Sequence, residues 1–424
     1  MNETTNLSVK AAQAIILQHV KALAVETVGL EAALGRVLAE LIRANRDQPP
    51  SDVSAMDGFA LRSADLLREP GAAPARLTVV EDIMAGDRPV KTVLPGQCAR
   101  IMTGAPVPMG ADAVIRVEDT RSLAEDMVEI GRPVDVGNDI RPRGDAMRQG
   151  EVVLTAGTEI TSGVVPVLAT VKCAQVRVYR QPRVAILATG NELEALSAAF
   201  DPEKIPDSNS YALMAQAQEL GLEPVLLGIA RDDAQELAQF LRRGLDYDVL
   251  LVSGGSSVGV HDHVRPTLAE LGVTMHFWRV EMRPGHPVAF GTTDRSLVFA
   301  LPGNPVSSMV CFEQFVLPAL RRMMGNRRLF RRTLTATLAH PLKARPGRTE
   351  FVRVVLTRGA GREDSPAWVA ASTGNQSSGA LLSMAQADAL LVVPAACAGL
   401  AAGATATVVL LDGGAFQSEP GFEE

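Results

Sequence analysis

The chain has 424 residues, with 41 Lys+Arg against 48 Asp+Glu, a net charge of −7 and 47% hydrophobic residues. That length suits about three domains, and the composition of an ordinary globular chain excludes extended disorder. The negative balance excludes a surface that binds polyanions everywhere, so any anionic ligand needs a local cationic or amide-lined pocket.

From the N-terminus, Ser8 is placed to cap a helix running to about His19–Val20, because Val9, Ala12, Ile15, Ile16 and His19 recur at helical spacing. A second amphipathic helix is expected over Leu30–Ile42. Gln48–Ala60, with its prolines and small polar residues, reads as a loop. From Ala75 to about Glu151, short β-like runs (Leu77–Val80, Ala99–Met102, Ala113–Val117, Met127–Ile130) alternate with Gly/Pro turns, the pattern of a small β-rich domain. Residues 151–180 return to mixed apolar sequence and are expected to rejoin the N-terminal helices, making the first domain discontinuous. Over 181–326, apolar runs Val184–Ala188, Pro224–Ile229, Val249–Ser253 and Leu297–Leu301 alternate with helical segments Ser210–Leu220, Asp233–Leu245, Val264–Leu271 and Pro305–Met324. That alternation predicts a parallel sheet with helices on both faces. Residues 327–412 show five further β-runs (Thr333–Leu338, Phe351–Leu356, Trp368–Ala371, Ala389–Val393, Thr405–Leu411) and no helix-length period, as in a small barrel or sandwich. The tail 413–424 is expected to be disordered.

Cys98, Cys173, Cys311 and Cys397 form no CxxC pair. This argues against a zinc ribbon, a thioredoxin-type motif or a disulfide framework. The N-terminus lacks the regions of a signal peptide, and no apolar run reaches the ~18–20 residues of a membrane span. A cytoplasmic enzyme engaging neither membrane nor nucleic acid is the expectation.

In a parallel α/β sheet, ligands bind beyond the carboxyl ends of the strands. There Ser253, Gly254, Gly255, Ser257 and Gly259 form a glycine-rich loop whose amides can approach an anion. Glu192, Asp232 and Asp262 follow three of the strands. Three carboxylates on one rim repel one another unless they surround Mg²⁺ or another hard cation; each of Asp232 and Asp262 also precedes a helix, where capping is the commoner role. Gly255-Ser256-Ser257-Val258-Gly259 matches the GxSxG nucleophile elbow, so a serine hydrolase using Ser257 is an alternative. His261, Asp262, His263 and His286 admit a transition-metal reading. Arg283 in ArgProGlyHisPro suits an oxyanion. Pro302, Gly303, Asn304 and Pro305 fix amides where a helix begins, and Asp57 and Thr103 stand in Gly-containing turns.

Taken together, the segments resemble one family, the molybdopterin molybdenumtransferases, which include the C-terminal domain of gephyrin. The likeness runs in order over about residues 8–412: SAMDGFA (54–60), RIMTGAPVPMGADAVI (100–115), GNDIRPRGD (137–145), ATGNEL (188–193), PDSN (206–209), RDD (231–233), SGGSSVG with Asp262, RPGHPVAFG (283–291) and ALPGNPVSS (300–308). GRTEFVR (347–353) and QSSGALLSMAQAD (376–388) follow in the last domain.

The resemblance implies insertion of molybdate into adenylylated molybdopterin with Mg²⁺-assisted release of AMP. It implies a multidomain α/β plus β fold: a helical dimerisation part (1–27 and 147–180), a β-rich insert (28–146), a parallel α/β domain like the molybdopterin-adenylyltransferase fold (181–326), and a C-terminal β-barrel (327–412). It further implies a homodimer with shared active sites and a partner enzyme that adenylylates molybdopterin. In that scheme Asp57 and Thr103 enter a neighbour's cleft; Glu192, Asp232 and Asp262 line their own and hold the metal. Gly190, the 253–259 loop and residues 302–305 hold the cofactor, and Arg283 and His286 meet molybdate.

The chain departs from the family pattern at the same end of the cleft. RPGHP stands for KPGKP, Ser256 and Val260 replace the usual loop residues, and Ala146 replaces the second acid of a GED stretch. These changes describe a variant transferase, serving a particular molybdoenzyme or another oxyanion such as tungstate. A non-catalytic molybdopterin-binding carrier is the other reading. The skew of 35 Arg to 6 Lys makes Arg283 a matter of chain-wide usage, whereas His286 has no such explanation.

Overall fold

A computed structural model describes residues 6–67, 73–255, 263–359 and 368–411. Contacts divide the chain into two compact units: Met1–Ala39, Gly157–Thr161 and Gln175–Glu424 form one, and Glu40–Ala156 with Ser162–Ala174 form the other.

The first unit opens with helix Val9–His19. Ser8 accepts from the Ala11 amide at 3.2 Å, and Val9, Ala12 and Ile16 are buried, as the spacing predicts. The helix expected over Leu30–Ile42 does not form. Only one 3-10 turn, Leu30–Ala32, is present, and Gly35 reverses the chain at φ +77°. Beyond it the Leu38 amide donates to Thr158 O and the Ala39 amide to Arg177 O. Ala33, Val37 and Leu38 are buried all the same; their spacing imitates a helix, but backbone satisfied laterally has no need of one.

The α/β part holds a six-stranded sheet in the order Val225–Ala230, Val184–Thr189, Val249–Ser253, Leu297–Leu301, Ala289–Thr292, Thr274–Phe277. The first four, the strands expected from the sequence, are parallel; two further strands not anticipated join at one edge by antiparallel pairing. The antiparallel pair is short and interrupted by Gly291 and Thr292, so it lacks the continuous apolar run that betrays a central strand. In the central strands successive residues enter different cores. Ile186, Leu251 and Phe299 belong to one, and Leu187, Leu250 and Val298 to the other. Helices Ser208–Gln218, Ala234–Gly244 and Val264–Glu270 accompany the sheet. The long helix expected from Pro305 is helical to Met323, but its middle, Phe312–Val316, widens to a π-helix.

The C-terminal strands close into a barrel. Thr349–Arg358 pairs with Trp368–Ser372 and with Ala389–Val393, and the ring is completed through Thr333–Leu338 and Thr405–Leu410. A five-residue helix, Leu381–Ala385, interrupts this β region, where no helix was anticipated.

The second unit carries another six-stranded sheet, ordered Ala113–Arg116, Gly58–Leu61, Gln97–Ile101, Ala75–Ile83, Met127–Ile130, Thr120–Ala124. Gly58–Leu61 begins within the segment read as a loop, yet all four of its residues are buried. A Cβ at Gly58 would lie 1.9 Å from Ile115 O, so glycine permits this pairing. All four cysteines are free, and burial pushes the Cys98 thiol up to about 12, which makes it inert. Among the described residues no helix is long and apolar enough to cross a membrane.

Candidate active site

Register sets the site. Ala188 pairs with Ser253, Ser253 with Leu301, and Thr189 with Ala230, so four parallel strands end level with one another. The turns Gly190–Glu192, Arg231–Asp233, Gly254–Gly255 and Pro302–Asn304 therefore open on a single edge, where α/β sheets bind ligands.

Glycine at these turns serves two different ends. The amide of Gly190 donates to Ala230 O and that of Gly254 to Leu301 O, both at 3.1 Å, so neither is spare for a ligand. Gly254 is required sterically: a Cβ there, at φ +98°, would lie 2.4 Å from Thr189 O. Gly190 is required by its φ of +146°, a Cβ there meeting only the movable end of the Glu192 side chain. In contrast, the amides of Gly255, Gly303 and Asn304 donate no hydrogen bond among the described residues. These are the donors left for an anion.

The carboxylates sort themselves as well. Asp233, not Asp232, caps helix Ala234–Gly244, accepting from the amides of Gln235 and Glu236. Asp232 instead exchanges bonds with Asn191: its amide donates to Asn191 Oδ1 at 3.2 Å, and Asn191 N donates to its Oδ2 at 3.4 Å. The capping role is thereby taken, and Asp232 and Glu192 stand exposed on adjacent turns. Lys204 Nζ and Arg231 both donate to Asn191 O, keeping positive charge close to these acids. Among the described residues no three His, Cys, Asp or Glu side chains are grouped as metal donors. Ser257, Gly259 and Asp262, with Ser256, Val260 and His261, lie outside the described residues, so the nucleophile-elbow and histidine readings fall there too.

The 301–305 turn is rigid. Ser308 Oγ donates to Pro302 O at 3.0 Å, and Pro305 occupies the first turn of its helix. Asn304 precedes that helix without a side-chain cap bond, so its amide group remains free to face outward. Asn209, on the neighbouring helix, donates from Nδ2 to Ser253 Oγ at 2.7 Å and to Gly303 O at 2.8 Å. Sequence reasoning quoted the PDSN stretch but gave Asn209 no task; a lone amide beside a capping Asp carries no local signal of its partners.

Arg283 and His286 have other attachments. Arg283 lies on a short strand, Met282–Arg283, paired with Thr349 and Glu350 of the barrel, and its guanidinium sits 3.4 Å from the buried Glu350 carboxylate. At 57% exposure it keeps a face to solvent. His286 Nδ1 contacts Val280 O at 2.8 Å. A carbonyl only accepts, so Nδ1 carries the proton and Nε2 is the free nitrogen. Gly285, at φ +106°, fits against Cys311, whose sulfur a Cβ would meet at 2.5 Å. The bonds of this turn thus run to Val280, Glu350 and Cys311 rather than to the strand ends.

In the second unit, Asp57 and Thr103 form one group. Asp57 Oδ1 accepts from both the amide and the hydroxyl of Thr103, each at 2.7 Å. Those two donors hold the exposed Asp57 carboxyl below its usual range. Gly104, at φ +81°, turns the chain so that its own amide reaches Ser54 O and the Thr103 side chain stays beside Asp57. A concavity of about 610 Å³ is lined largely by apolar groups including Met309, Leu381, Leu382 and Met384; the last three belong to the QSSGALLSMAQAD stretch, and none of the candidate site residues lines it.

Comparison with known proteins accounts for nearly the whole chain. Residues 7–171 match the MoeA N-terminal region (domain I and II), 185–322 a probable molybdopterin binding domain, and 335–411 the MoeA C-terminal region (domain IV). A molybdopterin molybdenumtransferase of Nostoc sp. is 37% identical over 87% of this chain and 85% of its own length. One from Staphylococcus aureus is 35% identical over 97% of both. The crystal structure of a molybdopterin biosynthesis moeA protein from Pyrococcus horikoshii superposes with a TM-score of 0.82 at 29% identity, covering 96% of this chain and 100% of that one.

Proposed function

The chain belongs to the molybdopterin molybdenumtransferase family of molybdenum-cofactor biosynthesis enzymes, and from that premise we propose that it inserts molybdate into adenylylated molybdopterin at its strand-end rim and releases AMP. The observation that carries this reading is the pairing of unspent amides (Gly255, Gly303, Asn304) with carboxylates freed from capping on the same edge of the sheet.

The substrate links two phosphates, and backbone amides bind phosphate without adding a titratable charge. Glu192 and Asp232 offer hard oxygen donors, the type Mg²⁺ prefers. With Asp262 they would hold that ion, which when bound supplies positive charge to the phosphoanhydride. Asp262 is also our candidate for orienting the attacking oxyanion. Arg283 takes the molybdate dianion; part of its charge is offset by Glu350, and its exposed face remains. His286 offers Nε2 and binds an oxyanion when protonated. Asp57 is ionised at neutral pH, so with Thr103 it gives a fixed acceptor and a hydroxyl for positioning substrate. The enzyme works in the cytoplasm as a homodimer in which Asp57 and Thr103 of one protomer serve the partner's cleft, and it takes its substrate from a molybdopterin-adenylylating enzyme.

The deciding experiment supplies adenylylated molybdopterin and Mg²⁺, with and without molybdate. AMP release that requires molybdate is expected; tight binding with no AMP release would overturn the proposal. The dimer is tested by mixing Asp57→Ala and Asp232→Ala chains. Each is inactive alone, and confirmed mixed dimers recover partial activity. No recovery removes the shared cleft.

A further inference from the structure

Two strand-end turns come close at glycines. A Cβ on Gly303 would lie 3.7 Å from Gly254 Cα and meet nothing else within 4 Å among the described residues. Contact between two glycines has no shape to fix its register. The Gly254 amide is anchored to Leu301 O, and the 301–305 turn is held from its own helix by Ser308, whose hydroxyl reaches Pro302 O and whose amide reaches Asn304 O; what remains is to tie the outer parts of the two turns to each other.

Asn209 is placed to do this. It sits on helix Ser208–Gln218, whose buried cap Asp207 accepts from Ser210 N at 3.1 Å and whose own amide is tied to Glu194 O. Farther along the same helix, Gln216 Nε2 reaches Met309 O in the helix that follows Pro305. The platform under Asn209 is therefore fixed at both ends. Its Nδ2 spends both hydrogens, one on Ser253 Oγ and one on Gly303 O, bridging the two turns. The carbonyl of Gly303 can only accept, which settles the orientation of the amide. Oδ1 is then buried and has no hydrogen-bond partner among the described residues. Leaving a buried acceptor unpaired is costly, so the donor half of this amide is what the position uses.

We propose that Asn209 is a positioning residue: it holds the Ser253–Gly255 turn and the Pro302–Asn304 turn at the spacing that lets Gly255, Gly303 and Asn304 face one phosphate group of the substrate. This rests on the assignment of those amides to substrate above. Asn209 touches no reacting atom; it acts through the two turns, on substrate and transition state alike.

The test compares Asn209→Ala with Asn209→Asp, which keeps the shape and removes the donors, and with Ser253→Ala, which removes one arm of the bridge. Hydrogen exchange at the bonded amides of the two turns, Gly254 (to Leu301 O) and Ser308 (to Asn304 O), is expected to quicken about tenfold in both Asn209 variants and less in Ser253→Ala. For AMP release at saturating molybdate, KM for adenylylated molybdopterin is expected to rise about tenfold while kcat stays within about threefold, the signature of lost uniform binding. Unchanged exchange in Asn209→Asp overturns the bridge. Faster exchange with an unchanged KM overturns its role toward substrate. Wild-type protein that fails to take adenylylated molybdopterin overturns the functional reading instead, and the exchange data still decide whether Asn209 sets the turns. Should Asn209→Ala fail to fold, the isosteric Asn209→Asp carries the decision.

Discussion

At the strand-end rim, the groups proposed to face a ligand are backbone amides held in place by buried parallel strands. At Asp57 and Thr103, in the other unit, they are two exposed side chains bonded to each other. The difference lies in what each site costs the fold. The rim depends on close backbone approach, with Gly254 against Thr189 O and Gly303 against Gly254, so altering it alters the protein. The Asp57 group depends on three hydrogen-bonding atoms at the surface, so it can be altered while the sheet beneath stays intact. Stability and activity should be coupled at the first site and separable at the second.

The sharpest way to break this contrast is Gly254→Ala. The new methyl meets Thr189 O at 2.4 Å with the backbone at φ +98°, and a loss of roughly 3 kcal/mol is expected from overpacking and backbone strain together. Thermal unfolding should show a lowered midpoint together with lost AMP release; a variant that melts like wild type would mean that the turn relaxes freely. The second test is Asp57→Asn, for which AMP release should fall about 100-fold while stability changes by less than about 0.5 kcal/mol. A clearly lowered melting temperature there would erase the distinction between the two sites.

A finer comparison lies within the rim, between adjacent acids. Asp233→Ala removes a helix cap and should cost about 1 kcal/mol with activity kept. Asp232→Asn should leave the melting temperature alone and weaken the dependence of AMP release on Mg²⁺. The reverse outcome would exchange their roles.

The smallest effect concerns protonation. The Thr103 amide and hydroxyl hold the Asp57 carboxyl below the usual aspartate range. A lowered folded-state pKa means that its contribution to stability is present above the unfolded value, about 3.9, and is lost as pH falls through the folded one. Removing the hydroxyl in Thr103→Ala takes away one of the two donors, so the Asp57 carboxyl, followed by NMR, should titrate nearer its ordinary value. An unchanged titration would show that the backbone donor alone sets it.

Much of the α/β part was legible because its strands are buried on both faces and so appear as unbroken apolar runs. Val249–Ser253 and Leu297–Leu301 begin and end where the runs do. The barrel strands were legible by alternation, and Thr333–Leu338 and Ala389–Val393 match residue for residue. Short elements escaped. Gly58–Leu61 is four residues among turn formers, and the apolar spacing over Ala33–Leu38 resembles a helix although its backbone bonds run sideways to Thr158 and Arg177. The acids of the site could be picked out as residue types at strand ends, but not assigned. Asp232 and Asp233 are neighbours, and only the geometry shows which one caps.

By itself the sequence determined the family and the central apolar strands, because periodicity and motif order are properties of the chain. Tertiary structure alone decided how the residues at the strand ends are used. Register brings four strand ends level, packing consumes the Gly190 and Gly254 amides while leaving those of Gly255, Gly303 and Asn304 unbonded among the described residues, and a side chain without any local signature, Asn209, reaches across to tie two turns together. Hydrogen bonds between residues 44 and 94 positions apart are set by how the helices and strands pack, and no local pattern in the chain encodes them.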